Sequence, residues 1–248
     1  MQKFKISDRF KRSEKYDLKW MKSNEMGPNS LWLTEFLTER IDLEPGMKVL
    51  DLGCGKAVSS IFLAKEFGVQ VWATDLWISP SENLRNINEQ EIAELVFPVY
   101  AEAHSLPYAE NFFDVIISID AYHYFGTDEI YLPYILKFLK KGGTIGIVSP
   151  GLRNEISNEI LNCFKDFWEP EFFSFHTEKW WREHWEKTGL VEILVSDILQ
   201  DGWKIWYEWE KELIETNSVN EERGSDIGLL EADGGKYLCF PRLIAKKK

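Results

Sequence analysis

Two glycines and three carboxylates are spaced along this chain as if to receive a ligand. In "KVLDLGCGKAVSS", residues 48–60, an apolar run closes on Asp51, turns through Gly53 and Gly55, and continues into a helical pattern. A turn without side chains at two positions lets a ligand approach the backbone, and the helix N-terminus that follows is mildly electropositive. Asp75 and Asp120 close two further apolar runs, "VQVWATD" and "FFDVIISID". A dinucleotide site asks for Gly-x-Gly-x-x-Gly and a later acid for the ribose. Here the third small residue, Ala57, follows Gly55 by two positions rather than three, and an acid stands before the first glycine. A pyrophosphate would be repelled there, so the pattern favours a nucleoside that carries a positive charge.

The elements that must hold these residues alternate. "MKVLDL" reads as a buried strand, "AVSSIFLAKEF" as a helix stopped by Gly68, and "VQVWATD" as the next strand. "SPSENLRNI" opens a helix with Ser79 as N-cap, Pro80 in the first turn and Glu82 completing a capping box. "VFPVY" and "FFDVIISID" are strands, "TDEIYLPYILKFLKKGG" a helix ending in lysines and glycines, and "TIGIVS" a strand. This order predicts an α/β fold, Rossmann-like and doubly wound, with a mostly parallel sheet of about seven strands, its ligand crevice beyond their carboxyl ends. "VEILVSD" and "YLCFPRLIAKK" predict an antiparallel closing pair around a Trp-rich helix near 203–214. The whole chain, 1–248, reads as a single domain: a helical N-terminal extension over 1–45, a ligand-binding core over 46–150, an aromatic-rich lid over 151–190, and closing strands with the Trp-rich helix over 191–248.

With 248 residues, 44% of them hydrophobic and 28% charged, the chain has ordinary globular composition. Its net charge of −12 argues against nucleic acid or an anionic membrane as partner, because phosphate binding relies on Lys and Arg. Small molecules are favoured instead. Cys54, Cys163 and Cys239 form no CxxC or CxxH pair, and the four histidines lack a chelating spacing, so no disulfide framework and no metal are expected. The N-terminus has no apolar stretch of signal-peptide length, and nowhere do about 18 apolar residues run together. A soluble, cytoplasmic chain is expected, with its oligomeric state open.

From about residue 47 to 150, the motif order and spacing resemble those of class I S-adenosylmethionine-dependent methyltransferases. The Asp51–Gly53–Gly55 turn resembles the first motif of that family. Asp75 matches the acid that binds both ribose hydroxyls, a role suited to charge-assisted hydrogen bonds. Leu76 and Trp77 match the apolar wall beside adenine, and in "AEAHSLPY" Glu102 and Ala103 take the place of the residues that meet the adenine edge. Two departures stand out: Ala57 replaces the third glycine, and Glu102 the commoner Asp. The later stretches "DAYHYFGTDE" and "WWREHWEKTGL" resemble a bacterial group of stand-alone small-molecule enzymes.

The resemblance implies S-adenosylmethionine as cofactor and in-line methyl transfer to a small molecule. Asp120 would also border the cofactor, and Tyr122, His123 and Tyr124 would face the acceptor. His123, with an ordinary pKa near 6.5, suits a general base if the nucleophile carries a proton; it equally suits packing among tyrosines. A non-catalytic module that binds S-adenosylmethionine or S-adenosylhomocysteine, and uses the lid for protein contact, is the alternative. Trp181 with Trp185, and Trp203 with Trp206 and Trp209, recur at helical spacing. Such stripes are core by default, and an aromatic acceptor pocket is the sharper reading. Tyr16, Trp20 and "MGPNS" are candidates for covering the cofactor, and the acidic runs "EWEKE" and "NEERGSD" read as solvated.

Overall fold

The computed structural model describes residues 9–219 and 224–248; what was expected of the first eight residues and of residues 220–223 within "NEERGSD" lies outside them. Helix α1 (Leu18–Ser23) begins where the Asp17 carboxylate accepts from the backbone N–H of Trp20, and α2 (Ser30–Thr38) where Asn29 does the same for Trp32. Strand β1 (Lys48–Leu52) leads through the glycine turn into α3 (Val58–Phe67), which Gly68 ends in a left-handed conformation. After β2 (Gln70–Asp75) comes α4 (Pro80–Glu89), capped by Ser79, with Pro80 in its first turn as the sequence predicts.

Strands β3 (Val96–Tyr100) and β4 (Phe113–Ile119) follow, then α5 (Tyr131–Ile135) and β5 (Leu139–Val148). Here the long helix expected through 143 is corrected. The amides of Asn111, Phe112 and Phe113 take the carbonyls of Lys137 and Phe138, so the chain joins β4 early, with a register shift between Phe113 and Val115. Pairing with a neighbouring strand outweighs the helical pattern, and Lys140 answers Asp114 at 2.6 Å instead of capping a helix. The chain continues through α6 (Asn158–Cys163), α7 (Glu178–Glu186), β6 (Val191–Ile198), α8 (Gly202–Glu215), α9 (Ile227–Asp233) and β7 (Pro241–Lys247). A two-residue pair, Gly151–Leu152 with Leu238–Cys239, lies apart from the main sheet.

The seven strands run in the order β3-β2-β1-β4-β5-β7-β6, parallel except for β7, which is antiparallel to both its neighbours. One apolar layer gathers α2, α3 and α8 on the sheet, the other α5 and α7. At the sheet's closing end Arg242, 2% exposed, forks onto Asp197, donates to the Phe36 carbonyl and lies 3.8 Å from the Phe36 ring centre. A buried guanidinium is tolerable only when so paired.

The tryptophans resolve toward packing. Trp181 and Trp185 on α7 are at most 1% exposed, and Trp206 and Trp209 on α8 are likewise buried, so residues 151–190 contribute a core helix as well as any covering segment. Glu210 of "EWEKE" is also corrected from solvated to fully buried, because it accepts from Ser225 Oγ and the backbone N–H of Asp226. Among the described residues no helix is long and apolar enough to cross a membrane.

Candidate functional site

A cavity of about 280 Å³ opens beyond the carboxyl ends of β1, β2 and β4. Its floor is the glycine turn. Gly53 (φ +74°) and Gly55 (φ +52°) are in the left-handed region that side chains rarely adopt, and a Cβ on Gly53 would stand 2.4 Å from that of Ala121. The backbone N–H groups of Gly53 and Cys54 donate to the Thr74 carbonyl, fastening the turn to the end of β2. Ala57, also left-handed at φ 60°, begins α3.

Asp75 ends β2 and lines the cavity. Its Oδ2 accepts from Gly55 N–H at 2.8 Å, and its Oδ1 from the N–H groups of Trp77 and Ile78 at 2.7 and 2.9 Å. Three of a carboxylate's roughly four acceptor directions are thereby used, leaving about one for a ligand hydroxyl. Asp120 follows β4 at φ 55°, and a Cβ on Gly27 would come within 3.0 Å of its Oδ2. Glu102 lines the third side, its oxygens on the ring and backbone N–H of His104 at 2.7 and 2.9 Å; that bond to His104 holds its carboxyl below the usual range. Ala103 lies beside it, its carbonyl accepting from the Tyr131 hydroxyl at 3.2 Å.

Leu76 and Trp77 form an exposed apolar lip, Trp77 being 67% accessible. Trp77 meets Tyr124 edge to face, ring centres 5.3 Å apart. Burial, with the Asp120, Glu171, Glu169 and Asp226 carboxylates, pushes the Tyr124 phenol up, so it stays protonated and can donate. The roof comes from the chain between α1 and α2: Asn24, Met26, Gly27, Pro28 and Ser30 line the cavity, and the Gly27 carbonyl accepts from Trp209 Nε1 at 3.2 Å. "MGPNS" therefore covers the cavity as expected, whereas Tyr16 and Trp20 do not line it; they stack on each other 5.9 Å apart within the core.

Three expected site residues, Asp51, Tyr122 and His123, do not line the cavity. Asp51 pairs in register with Ala73 and Ile117, inside the sheet, and is fully buried beneath the turn. Its Oδ2 accepts from the hydroxyls of Ser59 and Ser60, both at 2.6 Å, so it fixes the start of α3 instead of lining the cavity. Tyr122 is 1% exposed among Phe125, Tyr131, Trp181 and Trp185, and is core. His123 is 2% exposed, packed on Tyr124 and Phe175, and burial pushes its pKa down to about 3. So weak a base, buried and not among the residues that line the cavity, does not suit proton abstraction. Since a working general base contributes about 10²–10⁴-fold, His123→Phe is expected to leave turnover within about threefold of the parent, and a hundredfold loss would return the residue to the chemistry. The large aromatic side chains that line the cavity, finally, are Trp77, Tyr124 and Phe125 rather than the later tryptophan stripes expected as an acceptor pocket.

Burial raises the Asp51 pKa from 3.8 to about 6, with the two serines opposing and the Asp75 charge adding to the rise. A raised carboxyl contributes stability that is whole below its unfolded pKa and lost as pH climbs through the folded one. Asp51→Asn should therefore gain stability relative to the parent by up to about 3 kcal/mol between pH 4 and pH 8. Urea unfolding of both chains at the two pH values measures the difference, and a constant offset would refute the assignment.

Sequence reasoning missed Thr74, Ile119, Ala121 and Phe125 in the wall, and the α4 asparagines behind the turn. Asn83 Nδ2 donates to the Gly55 carbonyl at 3.0 Å and Asn86 Nδ2 to that of Lys56 at 2.6 Å. Their signal was readable: two amides one turn apart on a helix face that otherwise calls for apolar residues. Among the described residues no group of three or more His, Cys, Asp or Glu side chains could hold a metal ion.

Residues 49–143 match the family described as a methyltransferase domain. Over 192 residues the chain is 27% identical to phosphoethanolamine N-methyltransferase 1 of Triticum aestivum, covering 76% of this chain and 36% of that one. Over 170 residues it is 28% identical to 2-methyl-6-phytyl-1,4-hydroquinone methyltransferase of Synechocystis, covering 62% and 49%. The chain thus spans less than half the length of either relative. The fold is shared with phosphoethanolamine N-methyltransferase 2 of Haemonchus contortus, solved with phosphomonomethylethanolamine and S-adenosylhomocysteine: TM-score 0.72, 17% identity, 90% of this chain and 54% of that one.

Proposed function

We propose that the chain is a class I S-adenosylmethionine-dependent methyltransferase that transfers a methyl group from S-adenosylmethionine to a small-molecule acceptor by in-line displacement. The observation that carries this reading is the cavity itself: a glycine turn with room for no side chain, closed by the carboxylates of Asp75, Glu102 and Asp120. Those groups fit a cationic nucleoside. Gly53 and Gly55 would admit it against the backbone, Asp75 would take a ribose hydroxyl on its remaining acceptor direction, and Leu76, Trp77 and Ala103 would flank the base. Glu102 and His104 would meet the polar edge of that base. When bound, S-adenosylmethionine supplies an electrophilic methyl on a sulfonium.

The rest falls to the protein. Met26, Gly27 and Pro28 exclude water from above, and the Asp120 carboxylate, set against Gly27, adds negative potential where the positive charge is held. Tyr124 and Trp77 border the open side, where the acceptor would enter, and Tyr124 can donate a hydrogen bond to orient it. The rate enhancement of such a site comes from holding nucleophile, carbon and sulfur in line, an effect of proximity and orientation. The acidic net charge of −12 and the unpaired cysteines support a small-molecule acceptor and a cytoplasmic location.

The test is incubation of the purified chain with methyl-labelled S-adenosylmethionine and a metabolite pool. Label appearing in a pool component, together with stoichiometric S-adenosylhomocysteine, is the expected result. Tight binding without transfer to any component would replace the enzyme by a binding module, and no binding at all would end the reading.

A further inference from the structure

We infer that Asn86, which does not line the cavity, is a positioning residue that couples the N-terminal roof to the glycine turn; the inference rests on the methyl-transfer reading for the identity of the bound group. Asn86 lies on the inner face of α4, 8% exposed, beside the fully buried Ile87. Packing alone would favour an apolar side chain there. Instead both ends of its amide are engaged: Nδ2 donates to the Lys56 carbonyl at 2.6 Å, and Oδ1 accepts from Trp20 Nε1 at 2.8 Å. The partners fix the amide's orientation, since a flip would set oxygen against carbonyl and NH2 against indole N–H.

What this bond pair joins matters. On one side, Gly55 is held by its N–H on Asp75 and by its carbonyl on Asn83, and Asn86 holds the next carbonyl along. On the other, Trp20 belongs to α1, its own carbonyl accepts from Asn24 Nδ2 at 2.9 Å, and Asn24 lines the cavity. Lys56 Nζ reaches back to the Ser23 carbonyl at 3.5 Å, closing the circuit. If α1 shifted, Asn86 Oδ1 would lose its donor in a buried setting, so the roof and the turn favour each other's ordered form. A ligand that orders the turn then also orders the roof.

Three variants test this: Trp20→Phe, which keeps a ring against Tyr16 but removes the donor; Asn86→Asp, which keeps the acceptor and removes the donor to Lys56; and the double variant. The added carboxylate would by itself favour a cationic cofactor, so weaker binding by Asn86→Asp reports geometry and not charge. Calorimetry with S-adenosylmethionine should show dissociation constants raised about fivefold to tenfold in Asn86→Asp and about threefold in Trp20→Phe, as expected when part of one buried hydrogen bond is forfeited. The double variant should fall short of the product of the two. In the free chain, amide exchange over residues 53–58 should quicken in both single variants. Affinities within about twofold of the parent, whatever the melting temperature does, would reduce Asn86 to packing and overturn the inference, as would fully multiplicative effects. Should Asn86→Asp fail to fold, Trp20→Phe decides alone through its affinity and exchange. A parent chain that does not bind the cofactor would overturn the methyl-transfer reading and this inference together, whereas a binding parent with unmoved variants overturns only the latter.

Discussion

Asp75→Ala is expected to abolish S-adenosylmethionine binding and to loosen the end of β2 at the same time. The carboxylate gathers three backbone N–H groups, those of Gly55, Trp77 and Ile78, at 2.7–2.9 Å, and is only 7% exposed. Removing it takes away the shared acceptor of those donors and also the charged acceptor proposed for the ribose. Together these should weaken binding by about a thousandfold or more, with a lower melting temperature. Asp75→Asn retains one acceptor oxygen and should fall between the two. Isothermal titration of the three chains is the measurement; near-parental affinity in Asp75→Ala would remove Asp75 from the cofactor site.

Gly53→Ala should be almost as damaging, for a steric reason. The new Cβ would lie 2.4 Å from the Cβ of Ala121, which is fixed to the backbone immediately after the left-handed Asp120 and cannot swing aside. The turn and the exit of β4 would have to separate, carrying Asp120 with them. Left-handed backbone at φ +74° adds about 1–2 kcal/mol for a residue with a Cβ. A loss of about a hundredfold in cofactor affinity is expected, since misplacement by an ångström can have that effect. The double variant Gly53→Ala/Ala121→Gly relieves the contact and leaves only the backbone strain, so it should recover most of the loss. Failure of that recovery would mean that Gly53 is needed for conformation or ligand contact alone.

Much of the site was legible along the chain because its parts are local. Gly53, Gly55 and Asp75 belong to strand ends whose apolar pattern fixes where each strand stops, and the capping of α4 by Ser79 follows from adjacent residues. The roof could be suspected from "MGPNS" because Gly-Pro breaks a helical run. The five-residue length of α5 was not legible, because the backbone at 137–139 is claimed by β4, a partner about 25 residues earlier whose competition no local pattern records.

The order of apolar runs, turns and capping residues by itself determined the class of fold, the end of the sheet at which the cavity opens, and the place of Asp75 at the end of its strand; these depend on periodicity and on the shape of single turns. Only the tertiary structure decided which side chains line that cavity. Asp51, one residue short of its strand end, and His123, one turn beyond its own, are buried away from the cavity, whereas Asp75 and Tyr124 line it. Depth is set by the neighbours that close over a position: β2, β4 and the serines of α3 over Asp51, and Phe175, far along the chain, over His123.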